Sequence, residues 1–194
     1  MKNLLNKAWE WFKSTSFRTK LGIFAGSVFV VMYLRNLIRG RNYTPPITKE
    51  FPFGSIVQPR QVMRNDTLGL GHYGASRDGG IRSHAGIDIE VYKSQPIYAP
   101  FNGTVTRKYF AYPNNKKYLG LEMISEVGEF KIKIMYCVPT DAKIGSYVKK
   151  GEMIGYAQAI SEKYSTLMTD HLHVELYQYG NRMDPTTHIQ LVKG

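Results

Sequence analysis

The sequence predicts a mainly β domain, an antiparallel β-sheet with hairpins, preceded by an N-terminal amphipathic segment and a single transmembrane helix. Short runs of alternating polar and apolar residues recur after residue 87, which is the period of a strand with one buried face. Turns that contain glycine or asparagine separate these runs, and no interior helix is needed between them. Repeated short strands of this kind are typical of antiparallel folds.

Residues 1–18 are predicted to form an amphipathic helix that lies in a membrane interface. Large apolar residues fall on one helical face, while lysines and other polar residues fall largely opposite, as in interfacial helices. The residues on the apolar face are Leu4, Leu5, Ala8, Trp9, Trp11 and Phe12.

Residues 19–38 are predicted to form one transmembrane helix. The run 21–34 contains no charged residue, and the span reaches about 18 residues if Arg35 extends its charge to the lipid headgroups. A membrane span needs about 20 residues. Two other interpretations stay open: a cleaved secretory signal, although no small-residue cleavage site follows, and a buried soluble helix.

The membrane that this anchor would enter is left open by the sequence. Residues 1–20 are basic, contain Ser and Thr and include one acidic residue, so they also fit an organellar targeting segment. Lys and Arg flank both ends of the predicted span in similar numbers, and the positive-inside rule therefore gives no orientation. We expect a single-pass protein of the mitochondrial inner membrane or of a bacterial or viral envelope, with protein partners in a membrane complex.

Residues 39–58 are predicted to be a linker between this anchor and the β domain of residues 59–194. Pro45, Pro46, Pro52 and Gly54 disfavour regular structure there. The charge changes along the chain as well. Residues 1–50 carry nine Lys or Arg and two acidic residues, whereas the rest carries 17 basic and 13 acidic residues. The β domain is therefore not strongly basic, and no nucleic-acid partner is expected.

Cys137 is the single cysteine of the chain, so no intramolecular disulfide can form. It lies in an apolar run, and we expect a buried, inert thiol.

Three hairpins are predicted in the β domain, followed by an irregular stretch at residues 161–170 that is a candidate loop over the functional site. A polar excursion is expected at residues 112–117. The predicted hairpins are Asn102 and Gly103 between strands 97–101 and 104–110, residues 126–129 between strands 118–125 and 130–136, and a third within residues 145–155.

His84 and Asp88 form the first part of a candidate metal site. Two strand residues four apart face the same way but lie roughly 13 Å apart, so a regular strand cannot bring both to one metal ion. Gly86 lies between them and tolerates backbone angles that other residues resist. Ile87 and Ile89 resume an alternating pattern. The sequence therefore predicts a bend that leads into a strand.

His171 and His173 form the second part. They are two apart in a run with strand alternation, so they share one face with Glu175 and Tyr177. The opposite face carries Leu172, Val174 and Leu176. Imidazole and carboxylate are ordinary zinc ligands, and three protein ligands with an open position are the catalytic arrangement. Another divalent metal would accept the same ligands.

These two segments, H-x-x-x-D followed by H-x-H, resemble the lysostaphin-type zinc endopeptidases. The resemblance covers about residues 65–190. Within the family the chain looks nearest to the branch of leukocyte cell-derived chemotaxin, which binds zinc without established peptidase chemistry. Those relatives are disulfide-bonded, and the single cysteine departs from them. The further segments that carry the resemblance are residues 69–77, residues 97–105, the G-x-x-V-x-x-G-x-x-I-G pattern of residues 145–155, and Asp184, Pro185 and Thr186.

The resemblance implies that His84, Asp88 and His173 bind zinc and that His171 is a catalytic histidine beside the metal. Active members add a second histidine that is not a ligand, in a Y-x-H arrangement, and Val138 stands at that position here. Valine can neither accept a proton nor donate a hydrogen bond. Loss of such a group typically costs ~10²–10⁴-fold in rate.

Other residues could support or replace these groups. His72 is a candidate replacement acid or base, or simply a loop residue near the site. Tyr136 is a candidate donor to an oxyanion, or a core tyrosine. Glu175 could orient a ligand histidine or be a solvated carboxylate. Asp170 is a candidate turn residue or a supporting residue of the site.

Two functions follow as expectations. The first is a membrane-anchored, zinc-binding domain of peptidase fold that has become catalytically impaired and serves as a binding module or accessory subunit. The second is an active zinc endopeptidase that cuts peptidoglycan cross-bridges or glycine-rich peptides. Val138 favours the first. Binding of nucleic acid or lipid by charge alone is disfavoured because the β domain is nearly neutral.

Overall fold

The computed structural model describes residues 53–193. The segments predicted for residues 1–18 and 19–38, and most of the linker 39–58, lie outside the described residues. Within residues 53–193, no helix has the length and apolar character needed to cross a membrane.

The described chain is built from sixteen strands, which confirms the predicted mainly β, antiparallel fold. The helices found in this part of the chain are single 3-10 turns at Asp78–Gly80, Asp141–Lys143, Ile160–Glu162 and Pro185–Thr187. The strands are β1 (Val62–Met63), β2 (Asn65–Asp66), β3 (Gly69–Leu70), β4 (Ser76–Arg77), β5 (Arg82–Ser83), β6 (Ile87–Glu90), β7 (Pro96–Tyr98), β8 (Gly103–Tyr112), β9 (Asn115–Ser125), β10 (Phe130–Met135), β11 (Cys137–Pro139), β12 (Tyr147–Val148), β13 (Met153–Ala157), β14 (His171–Gln178), β15 (Asn181–Met183) and β16 (Val192–Lys193).

Nine strands form the main sheet, in the order β12-β8-β9-β10-β14-β6-β1-β16, with β15 paired to β14. All of its pairs are antiparallel except β1 with β16. A second, small sheet has the order β11-β13-β7, and β2–β3 and β4–β5 form two-stranded ribbons. Strand β14 therefore lies between β10 and β6, in the middle of the main sheet.

One continuous core joins the two sheets, and its burial stabilises the fold by about 1.5–3 kcal/mol for each large aliphatic side chain. The alternation predicted for the central strands is confirmed, because the apolar face of each is buried. Fully buried members are Ile132 and Ile134 of β10, Leu172 and Val174 of β14, and Ile97 and Ile154 of the small sheet. Cys137 is also in this core, and burial raises the pKa of its thiol to about 12, in agreement with the predicted inert thiol.

The predicted hairpin around residues 126–129 is confirmed, since β9 and β10 pair directly on either side of it. The hairpin predicted at Asn102 and Gly103 is wrong: β7 belongs to the small sheet and β8 to the main sheet. Gly103 is the first residue of β8, where a Cβ atom would come 2.1 Å from the carbonyl oxygen of Ile124. This glycine is therefore explained by a close backbone approach in the β8–β9 ladder and not by a tight turn.

The third predicted hairpin, within residues 145–155, is also wrong, because β12 pairs with β8 whereas β13 pairs with β11 and β7. A hairpin occurs instead where the sequence suggested a polar excursion. Tyr112 at the end of β8 pairs with Asn115 at the start of β9. Pro113 and Asn114 form the connection, and both residue types favour turns.

Gly86 controls how closely β6 approaches β14. The residue is buried, and a Cβ atom there would lie 2.1 Å from the carbonyl oxygen of Val174. Gly86 is absent from the residues with positive φ. The prediction that a glycine is needed here is correct, but its cause is space between two strands and not backbone freedom.

Gly86→Ala should lower the free energy of unfolding by roughly 3 kcal/mol or more, because overpacking against rigid backbone cannot relax easily. Gly128→Asn is a suitable control, since Gly128 has a φ of 72° with open space around its Cβ position and asparagine tolerates that conformation. Urea unfolding followed by far-UV circular dichroism would measure both. Equal stability of the two variants would contradict this account of Gly86.

Candidate metal centre

The structure brings His84, Asp88 and His173 together. His84 lies in the connection between β5 and β6, so the predicted bend separates it from Asp88 in β6. His173 in β14 pairs directly opposite Asp88. The Nδ1 atom of His173 lies 2.9 Å from Nε2 of His84 and 3.0 Å from Oδ1 of Asp88, and the last two atoms are 3.1 Å apart.

The outer partners of the two histidines fix which ring nitrogen faces the centre. Nδ1 of His84 contacts the backbone carbonyl of His72 at 2.8 Å, and Nε2 of His173 faces Oε1 of Glu175 at 3.5 Å. Those nitrogens carry the protons, because a carbonyl or carboxylate oxygen can only accept. The inward nitrogens, Nε2 of His84 and Nδ1 of His173, are therefore unprotonated and carry lone pairs.

The lone pairs of the two imidazoles and Oδ1 of Asp88 thus converge on one point, and three such donors can hold a cation. Donors around a tetrahedral zinc ion at 2.0–2.1 Å lie about 3.3 Å from one another, which fits the observed spacing. Burial acts to lower the pKa of His173, but in its protonated form the ring can donate to both Asp88 and Glu175, and these hydrogen bonds raise the pKa above its usual value. The position therefore attracts positive charge, and the three residues form a group able to hold a metal ion.

Asp88 uses its two oxygens for different purposes. Oδ1 faces the histidines, while Oδ2 accepts from Nη1 of Arg64 at 3.3 Å and Nη2 of Arg77 at 3.2 Å. Burial acts to raise the pKa of this carboxyl, but hydrogen bonds with His173 and His84 hold the pKa well below its usual range. Asp88 is therefore ionised and fixed in orientation, as ligand carboxylates require.

A chain of contacts connects this ligand to His171. Arg64 donates two hydrogen bonds of 2.7 Å to Asp66, and Oδ2 of Asp66 accepts from the backbone N–H of Thr169 at 2.9 Å. The carbonyl of Thr169 then lies 2.7 Å from Nδ1 of His171. The Arg64 hydrogen bond holds the pKa of Asp66 well below its usual range although burial acts to raise it. One ionised network thus positions both Asp88 and His171.

His171 lies on the same face of β14 as His173, and its Nε2 atom is 3.9 Å from Oδ2 of Asp88. Because Nδ1 donates to the carbonyl oxygen of Thr169, Nε2 is unprotonated and directs its lone pair toward the centre. Burial lowers the pKa of His171 below its usual value, although the Asp88 charge acts to raise it. A neutral imidazole in this place can accept a proton at pH 7.

Val138 lies in β11, between buried Cys137 and Pro139, and its side chain is 43% exposed. No acid or base is present at this position. Tyr136, two residues earlier, packs against His171: the two rings are perpendicular at 5.6 Å between centroids, and the Tyr136 hydroxyl accepts from Tyr112 at 2.8 Å. Tyr136 has a φ of 64°, which is unusual for a bulky residue.

Three further expectations have clear outcomes. The ring of exposed His72 contacts the neighbouring carbonyl of Tyr73 at 2.9 Å, while the backbone carbonyl of His72 contacts Nδ1 of His84. Asp170 lies immediately before β14, and its Oδ1 accepts from the N–H of Ser161 at 2.8 Å. Glu175 is 7% exposed and faces His173, so it is not a solvated carboxylate.

Sequence reasoning missed Arg64, Asp66 and Arg77. The only local signal was the closeness of opposite charges at Arg64 and Asp66, which occurs in many loops. The carbonyl of His72 carries no sequence signal, since every residue has one.

A triad of two histidines and one aspartate on an antiparallel β scaffold, with a further histidine beside it, defines a metallopeptidase fold. The chain belongs to peptidase family M23, because the model of that family matches residues 82–185. The matched range contains all three converging residues and His171.

Individual relatives agree with this assignment. An "Uncharacterized metalloprotease" of Haemophilus influenzae is 31% identical over 109 residues, which are 56% of this chain and 22% of that protein. The chain thus spans about a fifth of the length of this curated relative. The structure of LytU is 26% identical with a TM-score of 0.50, covering 63% of this chain and 83% of LytU. A zinc-containing peptidase of Vibrio cholerae shares the fold at 20% identity and a TM-score of 0.50, covering 72% and 41% of the two chains.

Glu175→Gln should weaken zinc binding about 10–100-fold, because the carboxylate orients His173 and raises its basicity. Glu122→Gln is a matched control: both glutamates are buried on the same face, each opposite Lys133. Glu122 pairs with Arg107 at 3.1 Å and not with a ligand. Competition with a chromogenic chelator would measure the affinity. An equal loss in both variants would show that Glu175 has no special role.

Proposed function

We propose that this domain binds zinc through His84, Asp88 and His173 and holds an extended peptide against the metal, with impaired hydrolysis. The observation that carries the proposal is the convergence of three lone-pair donors within 2.9–3.1 Å. Two imidazoles and one carboxylate with an open position are an ordinary ligand set for catalytic zinc. When bound, zinc would polarise a peptide carbonyl placed at the open position.

The impairment is inferred from position 138. Hydrolysis needs groups that move protons and stabilise the developing charge. His171 is one such group, but the place of the second is taken by an exposed valine. A domain that keeps the metal and loses this group would serve as a binding module or accessory subunit, as in the chemotaxin-like branch of the family.

Active peptide hydrolysis is the second candidate, on peptidoglycan cross-bridges or glycine-rich peptides. Two observations support it: His171 has a lone pair beside the centre, and Tyr136 places a hydroxyl-bearing ring against it. Tyr136 would then donate a hydrogen bond to the oxyanion in place of the missing histidine.

The full chain should bind one zinc ion, and His173→Ala should abolish this binding. Glycine-rich peptide and peptidoglycan should be cut slowly or not at all, and Val138→His should raise the rate by ~10²–10⁴-fold. Val127→His is the control, because Val127 is 81% exposed in the β9–β10 turn. Zinc content by atomic absorption and peptide cleavage by mass spectrometry would measure both quantities.

Three outcomes separate the two candidates. Rapid cleavage by the unmodified chain, lost in His173→Ala, would establish the active enzyme. Cleavage only after Val138→His supports the impaired domain. A chain that binds no zinc would exclude both.

We also propose that residues 19–38 anchor the chain in a membrane, where it has protein partners. This proposal is supported by the uncharged run 21–34.

The full chain should remain in the membrane pellet after alkaline carbonate extraction. Replacing Phe29 and Val30 by Arg should move it to the supernatant, since each central arginine costs about 2.5–3.5 kcal/mol. Tyr43→Arg, in the predicted linker, should not. An unmodified chain in the supernatant would overturn the anchor.

A further inference from the structure

The face of the main sheet that carries the candidate metal centre continues into a charged region. Along β14, Glu175 and Tyr177 follow His173 on the same face at two-residue steps. Lys133 of β10 pairs opposite Glu175, and Lys131 pairs opposite Tyr177. This region is therefore the direct continuation of the centre along one strand.

Three cationic side chains surround the ring of Tyr177. Lys131 Nζ is 4.7 Å, Lys133 Nζ 5.2 Å and Arg182 Cζ 5.6 Å from the ring centroid. Arg182 reaches the ring from β15, where it pairs opposite Tyr177. We call these four residues the Tyr177 cluster.

The positive charge of the Tyr177 cluster is only partly compensated. Glu175 accepts from the Tyr177 hydroxyl at 2.5 Å and is 4.0 Å from Lys133, but it also faces His173. Within residues 53–193, Lys131 and Arg182 have no ion pair within 4.0 Å. Like charges gathered on one sheet face repel each other. The cluster therefore favours an anion.

The neighbouring carboxylates are already engaged. Glu122, across Lys133 on the same face, pairs with Arg107 at 3.1 Å. Glu129, directly before β10, accepts from Nε2 of Gln178 at 2.6 Å. Neither forms an ion pair with Lys131 or Arg182 in the described part of the chain, although the charge of Lys131 acts on Glu122 and that of Arg182 on Glu175. The cluster can therefore accept a further anion from a ligand.

We propose that the Tyr177 cluster binds a carboxylate of the peptide held at the metal centre, so that the domain selects peptides with an acidic group. Lys131 and Arg182 would pair with the carboxylate, and the Tyr177 ring would contact its aliphatic stem. This inference rests on the proposed function, because it assumes an extended peptide on this face.

The strand geometry sets the position of the acidic group. His173 and Tyr177 are four residues apart in β14, which is about 13 Å at the rise of a strand. A peptide extended along β14 has nearly the same rise. Its carboxylate should therefore lie about four residues from the peptide bond at the metal, either as an acidic side chain or as a free C-terminus.

Binding of short glycine peptides to the zinc-loaded full chain, in a mild detergent, tests whether the domain prefers peptides with an acidic group. Two acidic probes, each acetylated and amidated, carry a single glutamate before or after a run of six glycines, so that both chain directions are covered. A third probe is an acetylated run of seven glycines with a free C-terminus. The matched neutral probes carry glutamine in place of glutamate, and an amidated C-terminus in the third.

Calorimetry should show that one glutamate peptide binds at least about 10-fold more tightly than its glutamine counterpart, since an ionised carboxylate forms charge-assisted hydrogen bonds that an amide cannot. A shortened probe, with glutamate followed by only two glycines, cannot span both sites. Its binding should therefore lose most of the zinc dependence.

Two double variants test whether the Tyr177 cluster causes the preference for glutamate over glutamine. Lys131→Ala combined with Arg182→Ala should remove this preference. The control, Lys116→Ala combined with Lys149→Ala, changes two exposed lysines outside the cluster and should keep it. His173→Ala should weaken all of the long peptides equally by removing the metal.

The outcomes separate this inference from the proposed function. Zinc-dependent binding without any preference for glutamate overturns the inference and leaves the proposed function in place. A preference that survives in the Lys131 and Arg182 variant overturns it as well. Binding of heparin with equal strength, lost in that same variant, would show a general anion surface and overturn the selection of peptides. If no peptide binds in a zinc-dependent way, the proposed function and the inference both fall.

Discussion

The pairing of β14 with β6 is the contact on which the site depends. It sets His173 directly opposite Asp88 in a ladder whose other face is buried core. The strands can come this close because Gly86 has no side chain where the carbonyl of Val174 passes. His84 then follows from the bend before β6. A one-residue slip of β14 would turn the histidines into the core and the leucines outward, so the hydrophobic pattern also fixes the metal donors.

Residues outside the segment matched by the family model complete this arrangement. Arg64 and Asp66 precede residue 82, yet they hold the outer oxygen of Asp88 and, through Thr169, the ring of His171. The two positions relevant to chemistry therefore share one ionised network. Such a network is stabilising only when every member is satisfied, and here each charged group has its partner. The stretch before the family segment thus belongs to the site and is not a passive extension.

The sequence was sufficient for the alternation of β10 and β14, for the hairpin between β9 and β10, and for the three histidines and one aspartate that meet or adjoin at the centre. It was not sufficient for the connections near Gly103 and Gly151. A turn signal says that the chain changes direction, but not which sheet receives the next strand. In addition, glycines required by a close approach look the same in sequence as glycines required by a turn. The carbonyl that orients His84 could not be predicted either, because it comes from the backbone.

The residues that could bind the metal and residue 138 lie in different sheets, so one can change without the other. The converging donors lie on the main sheet and the strand connection that enters it, whereas Val138 lies in β11 of the small sheet. A partly exposed valine contributes little to the core, so the identity of residue 138 can change without disturbing the metal donors or the fold. The proposed peptide binding along β14 would likewise need only the main sheet. Under the proposed function, a change at this one position would therefore remove hydrolysis and leave the metal donors and the peptide-binding face unchanged.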